Sequence, residues 1–139
     1  MKNIYSNIYK ANFTNLNKAK QNIENNNIIG IPTETVYGLA GNAYSSKSVR
    51  KIFSLKKRPA FNPLIIHYHN LNNLKNDVVL NSNFLKLYKT LCPGPITFIL
   101  KKKKKCKIAK MANAQMKTVA VRIPKHKTTR TLLKMLKFP

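Results

Sequence analysis

Three groups of polar side chains in this sequence have the types and spacing to do chemistry. The first is Thr33, Glu34, Thr35 and Tyr37, within Gly30-Ile31-Pro32-Thr33-Glu34-Thr35-Val36-Tyr37-Gly38-Leu39, where hydroxyls, a phenol and a carboxylate crowd together between two glycines. The second is Lys56, Arg58, Asn62 and His67, and the third is Thr118 with Arg122. Cations set beside hydroxyl and amide donors suit a ligand that carries phosphate and carboxylate groups. The same cations could stabilise charge developing on a transferring phosphoryl group.

Other chemistries rank lower. The chain has neither a GxxxxGK[ST] loop nor GxGxxG, so the common phosphate cradles are missing. Its three acids, Glu24, Glu34 and Asp77, are too scattered for paired-carboxylate catalysis. His67-x-His69 with His126 has the residue types of a zinc site, but no nearby carboxylate or thiolate completes a shell. Structural or substrate-contacting histidines are the better reading, and no metal site is assigned. No GxSxG elbow supports a Ser/His/Asp triad. Cys92 and Cys106 form no CxxC, and free thiols suit a reducing cytoplasm.

The elements that must position these groups alternate between helix and strand. The opening residues Ile4, Ile8 and Phe13 are too weakly patterned to assign. Leu16, Ala19 and Ile23 follow helical spacing, predicting a helix over 15–27 capped by Thr14 or Asn15. Ile28-Ile29-Gly30-Ile31 lacks polar alternation, as in a central strand buried on both faces, and Pro32 ends it. Ser45 or Ser46 caps a second helix running to about Lys57, with Val49, Ile52 and Phe53 inward. Lys56 continues that inward stripe. It either snorkels along the core edge, the commoner behaviour, or projects into a site that wants positive charge.

Leu64 to His69 reads as a strand with Ile65, His67 and His69 on one face. A short helix or turn over 70–76, a helix from Asn83 to Leu91 and the rigid turn Cys92-Pro93-Gly94-Pro95 follow. Ile96 to Leu100 and Thr118 to Ile123 are strands, the latter with Thr118, Ala120 and Arg122 on one face. An amphipathic helix runs from Lys127 to Lys137. The whole reads as one α/β domain over 1–139, with some antiparallel pairing where connections are short. Ligands of such sheets gather at strand ends, where the three polar groups fall.

Charge alone does not decide function. Twenty-seven Lys+Arg against three acids give net +24, which draws polyanions such as RNA. Yet the cations are 23 lysines and four arginines, and the chain has 18 asparagines and 13 isoleucines. Lys, Asn and Ile share A/T-rich codons, so codon bias is the preferred explanation, with weak RNA binding as a by-product. The run Lys101 to Lys105 reads as a solvated edge or loop. Met1-Lys2-Asn3-Ile4-Tyr5 has no signal-peptide apolar region and no apolar run reaches membrane-spanning length, so the expected location is the cytoplasm, away from membranes.

Five motifs in order carry a resemblance. Pro32-Thr33-Glu34-Thr35-Val36-Tyr37-Gly38-Leu39, Lys56-Lys57-Arg58-Pro59, Asn62-Pro63-Leu64-Ile65-Ile66-His67, Pro93-Gly94-Pro95-Ile96-Thr97 and Val119-Ala120-Val121-Arg122-Ile123-Pro124-Lys125-His126 together resemble the YrdC/Sua5 family. The motifs lie between about residues 28 and 126. The resemblance implies a twisted open mixed α/β sheet with helices packed on it and a large positively charged cavity. It also implies a threonylcarbamoyl-AMP synthase, in which L-threonine, bicarbonate and ATP give L-threonylcarbamoyladenylate and diphosphate for the t6A modification of tRNA. The threonine amine would take up CO2 as a carbamate, whose oxygen then attacks the α-phosphate.

Carried over by resemblance, Thr35, His67 and Arg122 would hold threonine. Arg58, Asn62 and Thr118 would contact ATP, and Lys56 would neutralise its phosphates. Lys56 and Arg58 would be the catalytic pair, and Thr33 and Tyr37 would line the pocket. Mg2+ would arrive with ATP, and the product would pass to the tRNA threonylcarbamoyl transferase machinery. A monomer or weak homodimer is expected. The family pattern continues with another strand and a Ser-x-Asn motif, whereas this sequence stops at Lys137-Phe138-Pro139; it is therefore expected to be truncated relative to the family. The alternatives are a non-catalytic RNA-binding protein of rRNA or tRNA maturation and a carbamoyl-transferring relative of hydrogenase maturation.

Overall fold

A computed structural model describes residues 7–139, so the expectation for Ile4 falls outside the described residues. The first helix, α1 (Phe13–Glu24), begins two residues earlier than the spacing predicts. Its cap is Asn12, whose side-chain oxygen accepts from the Asn15 N–H at 2.9 Å, so neither Thr14 nor Asn15 fills that role. Asn26 then takes a left-handed conformation (φ 59°) that ends the helix.

Strand β1 (Ile29–Ile31) corrects a second expectation. It is not a central strand buried on both faces. It pairs only with β2 (Gly38–Ala40), antiparallel, in a two-stranded sheet. Gly30 is exposed, and Ile31 is buried because it packs with Ile23 of α1 and with Leu132. The polar stretch after Pro32 is thus the loop of a β-hairpin.

Helix α2 (Ser46–Lys56) follows the sequence closely: Ser45 caps it, and Val49, Ile52 and Phe53 are buried. The main sheet holds β3 (Ile65–His67), β4 (Thr97–Lys101) and β5 (Thr118–Arg122) in the order β3-β5-β4. β3 runs parallel to β5 and β4 antiparallel to it, which makes the sheet mixed. Between β3 and β4 lie α3 (Leu71–Leu74) and α4 (Ser82–Leu91). A 3-10 turn at Lys110–Asn113 precedes β5, and α5 (Lys127–Met135) closes the described chain.

The main core fills one face of the three-stranded sheet. Ile66, Tyr68, Leu100, Val119 and Val121 point into it and meet Val49 and Phe53 of α2, Leu74, Val78 and Phe84. Phe84 and Phe98 pack edge to face with ring centres 5.1 Å apart. Asp77, 1% exposed, is buried here too. Its carboxylate accepts from the Tyr44 and Tyr68 hydroxyls at 2.6 and 2.9 Å and from the Lys107 N–H at 2.9 Å. These bonds satisfy a charge that would otherwise be costly to bury. A smaller cluster of Ile23, Ile31 and Leu132 joins α1, β1 and α5. No helix among the described residues is long and apolar enough to cross a membrane.

Candidate functional site

Strand register builds the site. His67 stands opposite Arg122, and Arg122 opposite Thr97, so three strands contribute one polar row. The adjacent row on the same face is Ile65, Ala120 and Ile99. Because side chains alternate along a strand, the neighbours Ile66 and Val121 point the other way into the core. One sheet therefore anchors its fold with one face and presents chemistry with the other.

The hairpin loop leans over this row. Thr33 Oγ1 organises it, accepting from the Thr35 and Val36 N–H groups at 3.2 Å each and donating to the Val36 carbonyl at 2.7 Å. Two ties fix the loop to the segment after β5. Thr129 Oγ1 of α5 donates to the Pro32 carbonyl, and the Lys125 N–H donates to Glu34 Oε2 at 3.0 Å. Arg122 Nη1 reaches both Glu34 Oε1 and Thr35 Oγ1 at 3.5 Å. Its Nε and Nη2 donate to Thr97 Oγ1 at 3.1 and 2.8 Å.

The end of α2 supplies the other cations. Lys57 adopts a left-handed conformation (φ 48°), and the Lys57 and Arg58 N–H groups fold back on the Ser54 and Phe53 carbonyls. This Schellman-type ending turns the chain so that Lys56 and Arg58 border the same cavity as the polar row. Arg58 is held by its own loop: Nε donates to the Asn62 carbonyl at 2.9 Å, and Nη2 donates to Asn62 Oδ1 and the Pro63 carbonyl at 2.8 and 2.7 Å. Its Nη1 makes no hydrogen bond among the described residues.

Thr33, Thr35, Lys56, Arg58, His67 and Arg122 line one cavity of about 390 Å³. Its lining also includes members of both apolar clusters, among them Val49, Ile31 and Leu132. Lys56 borders the cavity but is exposed, so the inward stripe of α2 stops at Phe53. Tyr37, 79% exposed, is outside the lining, as are Asn62 and Thr118. Asn62 acts on Arg58, while the Thr118 carbonyl accepts from Asn113 Nδ2 at 2.7 Å. A wider open groove of about 980 Å³ between Arg50, Phe61 and Lys110 contains none of the predicted site residues.

Arg122 and Glu34 carry opposite charges at the row, 3.5 Å apart. Burial, then the adjacent Arg122, pushes the His67 imidazole down to about 4 against a weak opposing pull from Glu34, so the ring is neutral at pH 7. Its Nε2 is buried without a partner. Burial works against the charged Glu34 carboxylate. Backbone N–H groups of Glu34, Lys125 and His126, together with Arg122, outweigh it and hold the carboxyl below its ordinary range. Among the described residues no cluster of three His, Cys, Asp or Glu side chains could hold a metal ion.

A family model for Sua5, YciO and YrdC proteins, described as "Telomere recombination", matches residues 21–139. The chain belongs to the Sua5/YciO/YrdC family. The threonylcarbamoyl-AMP synthase of Pyrococcus abyssi is 36% identical over 120 residues, covering 84% of this chain and 34% of the relative. That of Bacillus subtilis is 35% identical over 113 residues, covering 81% and 32%. The chain thus spans about a third of the length of these curated relatives. A crystal structure of P. abyssi Sua5 complexed with L-threonine superposes with a TM-score of 0.87 at 32% identity, over 95% of this chain and 38% of that one. Escherichia coli YciO shares the fold, with a TM-score of 0.81 at 22% identity over 96% of this chain and 63% of that one.

Within this Sua5/YciO/YrdC domain, two contacts are invisible to motif reading. Thr97 closes a family motif, yet its alignment with Arg122 depends on pairing between strands 25 residues apart. Glu34 meets Arg122 across 88 residues. The available signal was period-two alternation, which puts Thr97 on the face opposite Phe98 but does not name its partner.

Proposed function

We propose that this domain belongs to an L-threonylcarbamoyladenylate synthase, acting in the cytoplasm on L-threonine, bicarbonate and ATP to give the adenylate and diphosphate for t6A modification of tRNA. The observation that carries this reading is the convergence of Arg122, His67 and Thr35 with Lys56 and Arg58 on one cavity. Arg122 is a forked partner for the threonine carboxylate, and Thr35 and the neutral His67 offer hydrogen bonds to the rest of the amino acid. Lys56 and Arg58 would meet the triphosphate, with Asn62 holding Arg58 in position; Thr118, outside the cavity lining, would contact ATP only on the strength of the family resemblance. The names of the relatives and the threonine-bound P. abyssi Sua5 support the same substrate class.

The amine, once it has taken up CO2, presents a carbamate oxygen to the α-phosphate, and the bond to the leaving diphosphate breaks. No covalent enzyme intermediate is required, so the chain's work is placement and charge neutralisation. Mg2+ would come in on the ATP phosphates. Glu34 is already engaged by Lys125 and Arg122, and Asp77 is sealed in the core. The adenylate would then pass to a threonylcarbamoyl transferase.

With ATP, L-threonine, bicarbonate and Mg2+, diphosphate should be released only when threonine is present. Arg58→Ala should cut that release at least tenfold, and Lys103→Ala, at an exposed site outside the cavity, should leave it unchanged. Threonine-independent release, from this chain or from one extended through the family's Ser-x-Asn segment, sinks the reading.

A further inference from the structure

We infer that Thr97 is a positioning residue that commits one edge of the Arg122 guanidinium to the protein and leaves the other for a ligand carboxylate. The inference rests on the function proposed above. A guanidinium offers five N–H donors along two usable forks, Nε with Nη2 and Nη1 with Nη2. Thr97 Oγ1 takes both donors of the first fork, at 3.1 and 2.8 Å. It reaches them because β4 and β5 pair with Thr97 directly opposite Arg122, which fixes the approach by backbone hydrogen bonding. The second fork is held only loosely. Nη1 has two contacts of 3.5 Å, to Glu34 and Thr35, well beyond the 2.7–2.9 Å usual for a charge-assisted bond.

That asymmetry selects a binding pose. A carboxylate entering from the cavity meets the Nη1/Nη2 end of Arg122, where one Nη2 hydrogen has no protein acceptor among the described residues and Nη1 is weakly engaged. Glu34 stays where it is, because Lys125 holds its other oxygen at 3.0 Å. It keeps Arg122 compensated when the site is empty and yields Nη1 when a ligand carboxylate arrives. Without Thr97 the guanidinium loses its edge anchor, and Nε and Nη2 would swing to compete for the incoming group. The carboxylate would then be bound in several poses rather than one.

Calorimetric titration with L-threonine and with L-threoninamide, which has no carboxylate, separates this role from simple structural support. The wild-type chain should prefer threonine strongly. Thr97→Val, which keeps the shape and removes the acceptor, should weaken threonine binding about tenfold while leaving threoninamide within twofold. Thr97→Ser should restore threonine affinity to within threefold. Thermal melts of all three proteins check that the strand still forms. If Thr97→Val weakens both ligands equally, or neither, the positioning role is overturned. If the wild type does not distinguish threonine from its amide, the proposed substrate fails first and the inference falls with it.

Discussion

His67 shows how much one side chain can report. It is neutral in the folded chain because burial strips its solvent and Arg122 lies beside it, which drives its pKa to about 4. An unfolded chain would bind that proton near the ordinary histidine value of about 6.5. Between those two values the unfolded state takes up more protons, so acid favours unfolding and stability falls as pH falls. At about 1.4 kcal/mol per pH unit, the loss attributable to His67 reaches on the order of 3 kcal/mol at pH 4. His69, lowered by burial and by Arg130 and Lys134, contributes with the same sign. Urea unfolding at pH 7 and pH 4.5 should show a smaller acid loss for His67→Gln than for the wild type, and an unchanged loss would refute the assignment. The residue types at Thr35, Lys56, Arg58, His67 and Arg122 were readable because glycine and proline punctuate the motifs around them. Asp77 was not. It lies in an asparagine-rich stretch with nothing local to mark it, and its meaning comes from Tyr68 and Tyr44, nine and 33 residues away.

At the scale of elements, the turn out of α2 decides where two cations stand. Its boundaries were legible from the Ser45 cap and from Arg58-Pro59. The left-handed Lys57 between them was not, since the sequence has lysine where a helix ending of this kind favours glycine. An L-residue pays about 1 kcal/mol or more for that conformation. Lys57 is exposed and is not in the cavity lining. Lys57→Gly should therefore raise stability by about 1 kcal/mol with the proposed threonine binding unchanged, as measured by chemical denaturation and calorimetry. A loss of stability would mean that the Lys57 side chain supports the turn. The misreading of β1 has a different cause. A β-branched run signals burial but not what buries it, and here α1 and α5 do so in place of two helical layers. Its partner β2, Gly38-Leu39-Ala40, has little strand propensity and forms because the loop tied by Thr33 brings it back on β1. The mixed order of the main sheet was broadly legible from helix–strand alternation, but its register was not.

The whole molecule carries net +24, and the structure removes most of the little acid it has from the surface. Asp77 is buried in the core, Glu34 is engaged by Arg122 and Lys125, and Glu24 of α1 lies 3.7 Å from Lys20. The positive charge is spread rather than concentrated. Lys47 and Arg50 are exposed along α2 and Lys57 just after it, while the lysine run is partly structural. Lys101 ends β4, Lys102 bridges to Val78, and Lys103 Nζ donates to the Lys75 carbonyl at 2.6 Å. A dispersed field of this kind attracts any polyanion by counterion release, with affinity that collapses as salt rises. Binding to a homopolymeric RNA should therefore fall by roughly a thousandfold between 50 and 200 mM salt. Changing Lys103, Lys104 and Lys105 together to glutamine should weaken it only in proportion to the three charges removed and flatten the salt slope by about two. Arg58→Ala, which removes one cation, should do no more than one lysine. Abolition of binding by the triple change would instead mark the run as a dedicated RNA site, and the surface charge would then have a function that uniform composition does not require.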